Sequence, residues 1–267
     1  MGIKEFIENR KSIREYKNKK FSSKDIKEIK DKIESINKEA EKYGVKIIFF
    51  EDGNKIYDTL KGNAGYTGVM YKSPYYIGLD IGDGDKNAYI FGGYYLEKIN
   101  VQVQEMGFGT CWISLYTTDN EVKKEAFSDS YKNIISILSL GYEVGQTVFE
   151  NEIYSSRLEL EEYVFLNSFE KPAEISYLSS RGLSDIFYHV KYAPSALNRQ
   201  PWRYLIKDNR ILLYIENFEN ETDYLDLGVA MFYFKTLLEQ DGIFSSWDIE
   251  TPETDYENKK YIAQITY

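Results

Sequence analysis

The sequence predicts an α+β protein made of two related halves. Segments with apolar residues at helical spacing alternate with short β-branched and aromatic runs along the whole chain. A set of landmarks also recurs at one offset. Gly93 and Gly228 sit in similar helical segments (228 − 93 = 135), and Gly107 and Gly242 follow those segments (242 − 107 = 135). Trp112 and Trp247 come next (247 − 112 = 135), and the strand at Tyr76 meets Ile211 at the same offset (211 − 76 = 135). A period this long marks duplication of a whole unit rather than a solenoid. Two fused homologous units are expected to pack about a pseudo-twofold axis, as a homodimer does.

Each element can be justified in order. Residues 22–43 carry Ile26, Ile29, Ile33 and Ile36 at helical spacing, with Ser23 as the expected cap. Residues 45–50 are apolar and β-rich and read as a strand, after which Asp52-Gly53-Asn54 turns the chain. Residues 75–79 give a second strand. Residues 91–106 give a helix that runs into Gly107-Phe108-Gly109, and 112–115 a short apolar connection. Residues 133–140 read as a strand ending at Gly141, and the acidic stretch from 150 to 170, followed by Pro172, reads as a linker. In the second half, 183–192 is a helix capped at or near Ser184 and stopped by Pro194. Strands at 204–206 and 211–215 flank Asp208-Asn209 as a hairpin. A helix at 227–240 closes at Gly242, and 261–267 alternates as a terminal strand. The expected division is a first half at 1–150, a linker at 151–175 and a second half at 176–267.

Composition narrows the function. The chain has 267 residues, 43% hydrophobic and 16% aromatic, enough for a sizeable core. A net charge of −10 argues against a nucleic-acid surface, which needs a basic stripe. It leaves room for an anionic cofactor, because a local arginine cluster can reverse the sign inside a pocket. The one cysteine, Cys111, forbids a disulfide within the chain and disfavours a cysteine metal cage. The one histidine, His189, argues against a histidine-rich metal site, and no metal is expected. No apolar run approaches the roughly 20 residues of a membrane span. The amphipathic N-terminus lacks a signal peptide's apolar core, and Phe6 breaks a myristoylation pattern begun by Gly2. Residence in the cytoplasm, without membrane contact, is the expectation.

Three segments carry candidate chemistry. In Arg10-Lys11-Ser12-Ile13-Arg14, two arginines four apart would share a helix face and could straddle an anion, with the Ser12 hydroxyl beside them. In Ala193-Pro194-Ser195-Ala196-Leu197-Asn198-Arg199-Gln200-Pro201-Trp202, two prolines fix a rigid loop that presents Ser195, Asn198 and Gln200 for ligand hydrogen bonds. In Gly107-Phe108-Gly109-Thr110-Cys111-Trp112-Ile113-Ser114, glycines allow close backbone approach, but the spacing is not that of a Rossmann nucleotide loop. Cys111 has no histidine near it in sequence and reads as buried and structural.

Taken together, these three segments resemble the FMN-dependent nitroreductase family, in its tandem single-chain branch, over nearly the whole chain. The first half holds the Arg-x-Ser-x-Arg segment without a Pro-Ser loop; the second holds the loop without a comparable arginine cluster. The resemblance implies a nitroreductase-like fold as a single-chain pseudo-dimer, with one composite FMN site. It implies that Arg10, Ser12 and Arg14 serve the phosphate and the ribityl-pyrimidine region, Arg14 lying near flavin N1. It assigns Pro194, Ser195, Ala196 and Asn198 to the flavin from the other half, and Trp112, Ile113 and Ser114 to the isoalloxazine. Arg157 matches a residue that closes the phosphate pocket, and Ser155 stands where many relatives carry another basic group. Asn63 is the polar candidate in residues 62–71 for the pyrimidine edge.

The implied activity is reduction of nitro, quinone-like or other small oxidised substrates with NAD(P)H in a ping-pong cycle. The flavin carries the chemistry, so no catalytic nucleophile or base is required. Positive charge near N1 favours the anionic reduced ring, a role for Arg14. The alternative is a flavin-binding redox sensor or FMN store without turnover. A monomer is expected, since the partner half is covalently attached.

Overall fold

The computed structural model describes residues 2–82, 84–128, 131, 133–145 and 156–267. They form two compact units. One is contiguous, Lys11–Glu152; the other is discontinuous, joining Met1–Arg10 to Ile153–Tyr267. The first helix, α1 (Ile3–Asn9), thus belongs with the C-terminal residues. This differs from the expected first half at 1–150, which took in residues 1–10.

In the contiguous unit, α2 (Ser23–Ala40) buries Ile29, Ile33, Ile36 and Ala40 along one stripe. Its cap is Ser22, one residue before the expected Ser23. The Ser22 hydroxyl accepts the Asp25 N–H at 3.1 Å and the Asp25 carboxylate accepts the Ser22 N–H at 3.1 Å. That reciprocal box needs a side-chain acceptor three residues on, and Ser23 has Ile26 there. Next come β1 (Lys46–Phe50), α3 (Gly53–Leu60), β2 (Tyr75–Asp80), α4 (Lys86–Glu105), β3 (Gly109–Ser114), α5 (Asn120–Phe127) and β4 (Ile134–Gly141). The sheet order is β1-β2-β4-β3, antiparallel throughout. Both its faces are covered, which is why β4 is buried at every position. On one face Tyr75 stacks on Phe21 at 4.4 Å between ring centroids. On the other, Tyr76, Ile113, Ile134 and Ile137 pack with Ile56, Leu60 and Phe127 from α3 and α5.

The discontinuous unit contains α6 (Leu160–Tyr163), β5 (Val164–Leu166), α7 (Ile175–Ser180), α8 (Ser184–Val190), β6 (Trp202–Lys207), β7 (Arg210–Glu216), α9 (Asp223–Gln240) and β8 (Lys259–Thr266). Its sheet order is β5-β6-β7-β8, with β5 parallel to β6 and the rest antiparallel. The expected hairpin is present, turning at Asp208 with φ 56°. Helix α9 packs on α1, α8 and β6. The core there includes Trp202, Tyr204, Phe187, Phe234 and Leu237, all fully buried.

The repeat is visible in both units. Helices α4 and α9 end 135 residues apart (240 − 105 = 135), and the glycines after them have left-handed φ of 87° at Gly107 and 83° at Gly242. Glycine suits that position because a Cβ is disfavoured there. Two differences from the sequence reading have physical causes. The expected linker at 151–175 is structured where described: its residues 164–166 form β5, a three-residue edge strand too short to announce itself, while 151–155 lie outside the described residues. Residues 109–114, read partly as a connection, are a full strand paired to β4.

Candidate functional site

The segment after α1 leaves the helical course at Arg10, whose backbone is extended at φ −66°, ψ 136°. Arg10 and Arg14 therefore do not share a helix face as their spacing suggested. Arg10 falls in the discontinuous unit and Arg14 in the contiguous one.

In the contiguous unit the segment lies along β3. Ile13 donates its N–H to the Thr110 carbonyl at 2.8 Å. A Cβ on Gly109 would stand 2.7–2.9 Å from the Ile13 side chain, so this approach requires glycine at 109. Tyr16 fixes the segment's exit, its hydroxyl donating to the Ile13 carbonyl at 2.5 Å and bonding the Ser139 hydroxyl at 2.7 Å. Burial holds that phenol far above its usual range. Ser12 and Arg14 are exposed. The Arg14 Nε donates to the Tyr71 hydroxyl at 3.2 Å, with the guanidinium 5.7 Å from the Tyr71 ring centroid. Tyr71 ends the 62–71 loop, which is tied to β3 by Gly65 N–H donating to the Ser114 carbonyl at 2.9 Å. Asn63 is exposed in that loop, and its carbonyl accepts the Thr118 hydroxyl at 2.8 Å. Ser114 is exposed, whereas Ile113 is buried in the core. Trp112 is half-buried, its indole N–H donating to the buried Glu97 carboxyl at 2.9 Å. Hydrogen bonds thus link Arg14, Tyr71, the 62–71 loop and the end of β3.

In the discontinuous unit, the charge of Arg10 is felt at Arg157. Arg157 is half-buried, and its basicity is lowered by that burial and then by the Arg10 charge. Its Nη1 donates to the Ala193 carbonyl at 3.0 Å and the Asn198 Oδ1 at 2.9 Å. The Arg10 Nε is buried and has no hydrogen-bond partner among the described residues. Neither arginine makes an ion pair among the described residues, although carboxylates are abundant elsewhere on this acidic chain.

The 194–201 loop is held mostly by its own unit. Ser195 Oγ accepts the Gln200 N–H at 3.0 Å. Asn198 Nδ2 donates to the Ser156 carbonyl at 2.8 Å, and Gln200 Oε1 accepts the Leu158 N–H at 3.0 Å. The sequence assigned Ser195, Asn198 and Gln200 to a ligand. In the structure the Asn198 and Gln200 amides fasten the 156–158 segment that carries Arg157. Ser155 lies outside the described residues. Two acids that sequence reasoning did not single out, Asp223 and Asp226, anchor the same loop from α9: Asp223 pairs with Arg199, and Asp226 accepts the Ala196 N–H at 3.1 Å from each carboxyl oxygen. An acid among apolar residues in a helix's first turn was the available signal.

His189 is buried, with Nδ1 2.8 Å from the Asp185 carbonyl and Nε2 3.3 Å from Glu8, and serves helix packing. Cys111 is buried in β3. Among the described residues no cluster could hold a metal ion, and no helix is long and apolar enough to cross a membrane.

Sheet order, paired units and these arginine-bearing segments define an α+β protein of nitroreductase-like fold. The family model described as "Putative TM nitroreductase" matches residues 2–237, and the chain belongs to that family. It is similar in fold to a Thermotoga maritima protein described as a "putative nitroreductase", at 21% identity and TM-score 0.60, covering 100% of this chain and 94% of that one. An FMN-dependent nitroreductase from Clostridium difficile aligns at 19% identity and TM-score 0.45, over 55% of this chain and 91% of its own. A Bacteroides fragilis nitroreductase with bound FMN aligns at 17% identity and TM-score 0.44, over 59% of this chain and 97% of its own. No curated protein matches.

Proposed function

We propose that this chain binds FMN, one per chain and without a second copy, and acts as a flavin oxidoreductase on small oxidised substrates with NAD(P)H as reductant. The observation that carries the proposal is the Arg10–Arg157 pair. Two guanidinium groups whose charges oppose each other, one with a buried Nε lacking an acceptor, are suited to hold an anion. A phosphate monoester suits, offering three acceptor oxygens and nearly two negative charges. Family membership makes the phosphate of FMN the natural candidate.

Bound FMN supplies hydride and single-electron chemistry, which suits a chain whose one histidine and one cysteine are both engaged in packing. The chain's own part is to bind and orient. Asn198 accepts from Arg157 and so sets the direction of its guanidinium fork. Arg10 and Arg157 hold the phosphate. Arg14, which has no acid partner among the described residues, is the proposed source of positive charge for the ring, a charge that favours the electron-rich reduced form. Ser12, Asn63, Trp112, Ile113 and Ser114 are the remaining candidates for flavin contact.

The test is titration of FMN into the purified chain and its variants, followed by mixing with NADH or NADPH while the flavin absorbance is watched. Arg10→Ala and Arg157→Ala should each weaken FMN about tenfold or more, because charge-assisted hydrogen bonds contribute about 1.5–3 kcal/mol. Arg14→Ala should slow bleaching of the saturated protein. A chain that takes up no FMN sinks the reading. One that binds FMN but is bleached by neither nucleotide is a flavin store or sensor.

A further inference from the structure

Helix α9 opens with two buried acids, Asp223 and Asp226. At the 135-residue offset, α4 has Ala88 and Phe91 in their places (223 − 135 = 88; 226 − 135 = 91), both buried. The helix therefore packs well without acids at these positions. What accompanies them in the discontinuous unit, and is missing from the contiguous one, is the 194–201 loop. Asp223 pairs with Arg199 and accepts the Glu219 N–H at 2.8 Å. Asp226 accepts the Ala196 N–H, 3.1 Å from each carboxyl oxygen. Between and just after these two fastenings the backbone is strained: Leu197, Asn198 and Gln200 have φ of 53°, 57° and 51°. Left-handed backbone in residues with a Cβ persists only where the surroundings impose it. Leu197, at 67% exposure, gains little from packing.

We propose that Asp226 is the positioning residue of this loop, its buried carboxyl fastening Ala196 while protonated and loosening residues 195–200 as the proton leaves. Burial pushes the carboxyl up to about 7, against the Ala196 N–H and the Arg199 charge, which pull it down. Several charges on the elements packed against α9 are committed elsewhere. Lys4 on α1 is held by Asp185 and Asp241, Glu8 by His189 on α8, and Arg203 on β6 by Glu216. Asp223, one turn before Asp226, is neutralised by Arg199. When the loop lifts, water reaches the carboxyl and its value returns toward the ordinary 3.8. The closed loop then holds the proton more tightly than the open one. Opening is favoured about tenfold per pH unit from about 4 to 7 and levels off above. In consequence, and resting on the flavin reading, FMN should be held more tightly at low pH, because the same loop orients Arg157 through Asn198.

The test is hydrogen exchange of the peptide covering 194–202 in the full chain without FMN, corrected for intrinsic rates, between pH 5 and 8. Protection should fall roughly a hundredfold across that range in the wild type. It should hold steady in Asp226→Asn, which keeps an acceptor for Ala196 and cannot titrate. A flat wild-type profile overturns the proposal without need of any variant, and an unchanged profile in Asp226→Asn takes the role away from Asp226. FMN affinity measured over the same range should weaken with pH only in the wild type. FMN bound equally well at every pH overturns the link to the cofactor. Failure to bind FMN at any pH discards the flavin reading alone, because the exchange arm uses no flavin.

Discussion

The two units share a scaffold and differ in their connections. In the contiguous unit, β1 and β2 are joined through residues 51–74, which hold α3 and the 62–71 loop; in the discontinuous unit the matching strands β6 and β7 are joined by residues 208–209 alone. The reverse holds one step earlier. Helix α8 reaches β6 through 191–201, with its proline-bounded loop, whereas α2 reaches β1 through 41–45. Each unit has kept an elaborate connection where the other has a short one. The strands and long helices of a duplicated fold are fixed by burial, while loops are free to gain or lose function. The tryptophans repeat this lesson in miniature. Trp112 donates to the Glu97 side chain and Trp247 to the Met231 carbonyl, so the tryptophan recurs at the repeat offset and the acceptor does not.

The largest expected effect tests the shared scaffold. Phe234 and Ile99 occupy equivalent sites (234 − 135 = 99) and are both fully buried. Phe234→Ala should destabilise by about 3–5 kcal/mol and Ile99→Ala by about 2–5 kcal/mol, as denaturant midpoints would show. A negligible effect at either site would break the equivalence.

The second test sharpens the difference between Asp226 and Phe91. The folded-state value of Asp226, about 7, lies above its ordinary 3.8, so the folded chain binds this proton more tightly than the unfolded chain. Stability from this group is therefore present at low pH, is lost as pH rises from about 4 to 7, and stays lost above. Asp226→Asn should be more stable than the wild type at pH 8 by up to about 4 kcal/mol, with the gap closing toward pH 4. Thermal unfolding at both pH values would detect it, and a gap that widens on acidification would refute the assignment.

The smallest effects separate the tryptophans. Trp112→Phe removes one of the donors to the buried Glu97 carboxyl, which keeps Asn100, and should destabilise by about 1–3 kcal/mol. Trp247→Phe takes one donor from the Met231 carbonyl, which lies within a helix, and should lose about 0.5–1.5 kcal/mol. Equal losses would mean that the acceptor's identity does not matter.

Much of the scaffold was legible because one rule governs it. Helix α2 showed its isoleucine stripe, β4 its apolar run, and the hairpin its Asp-Asn turn between alternating strands. Helices α3 and α5 were missed because eight residues give barely two turns of pattern, and β5 because three edge residues in an acidic stretch give none. At the site, residue types were readable and their company was not. The Arg10–Arg14 spacing assumed a helix that ends at Asn9, and the partnership of Arg10 with Arg157 spans residues far apart in sequence. The acids of α9 passed unnoticed because their reason for being buried is the loop they hold.

Helix α1 packs on α8 and α9, yet all of residues 11–152 intervene before those helices are made. The contiguous unit can therefore complete itself during synthesis, while residues 3–9 remain an amphipathic strip with Ile3, Phe6 and Ile7 still to be covered. Closing so long a loop is slow, and its entropy grows only with the logarithm of length. The connectivity lets the contiguous unit form by itself, whereas the discontinuous unit needs α1 and the later α8 and α9 together.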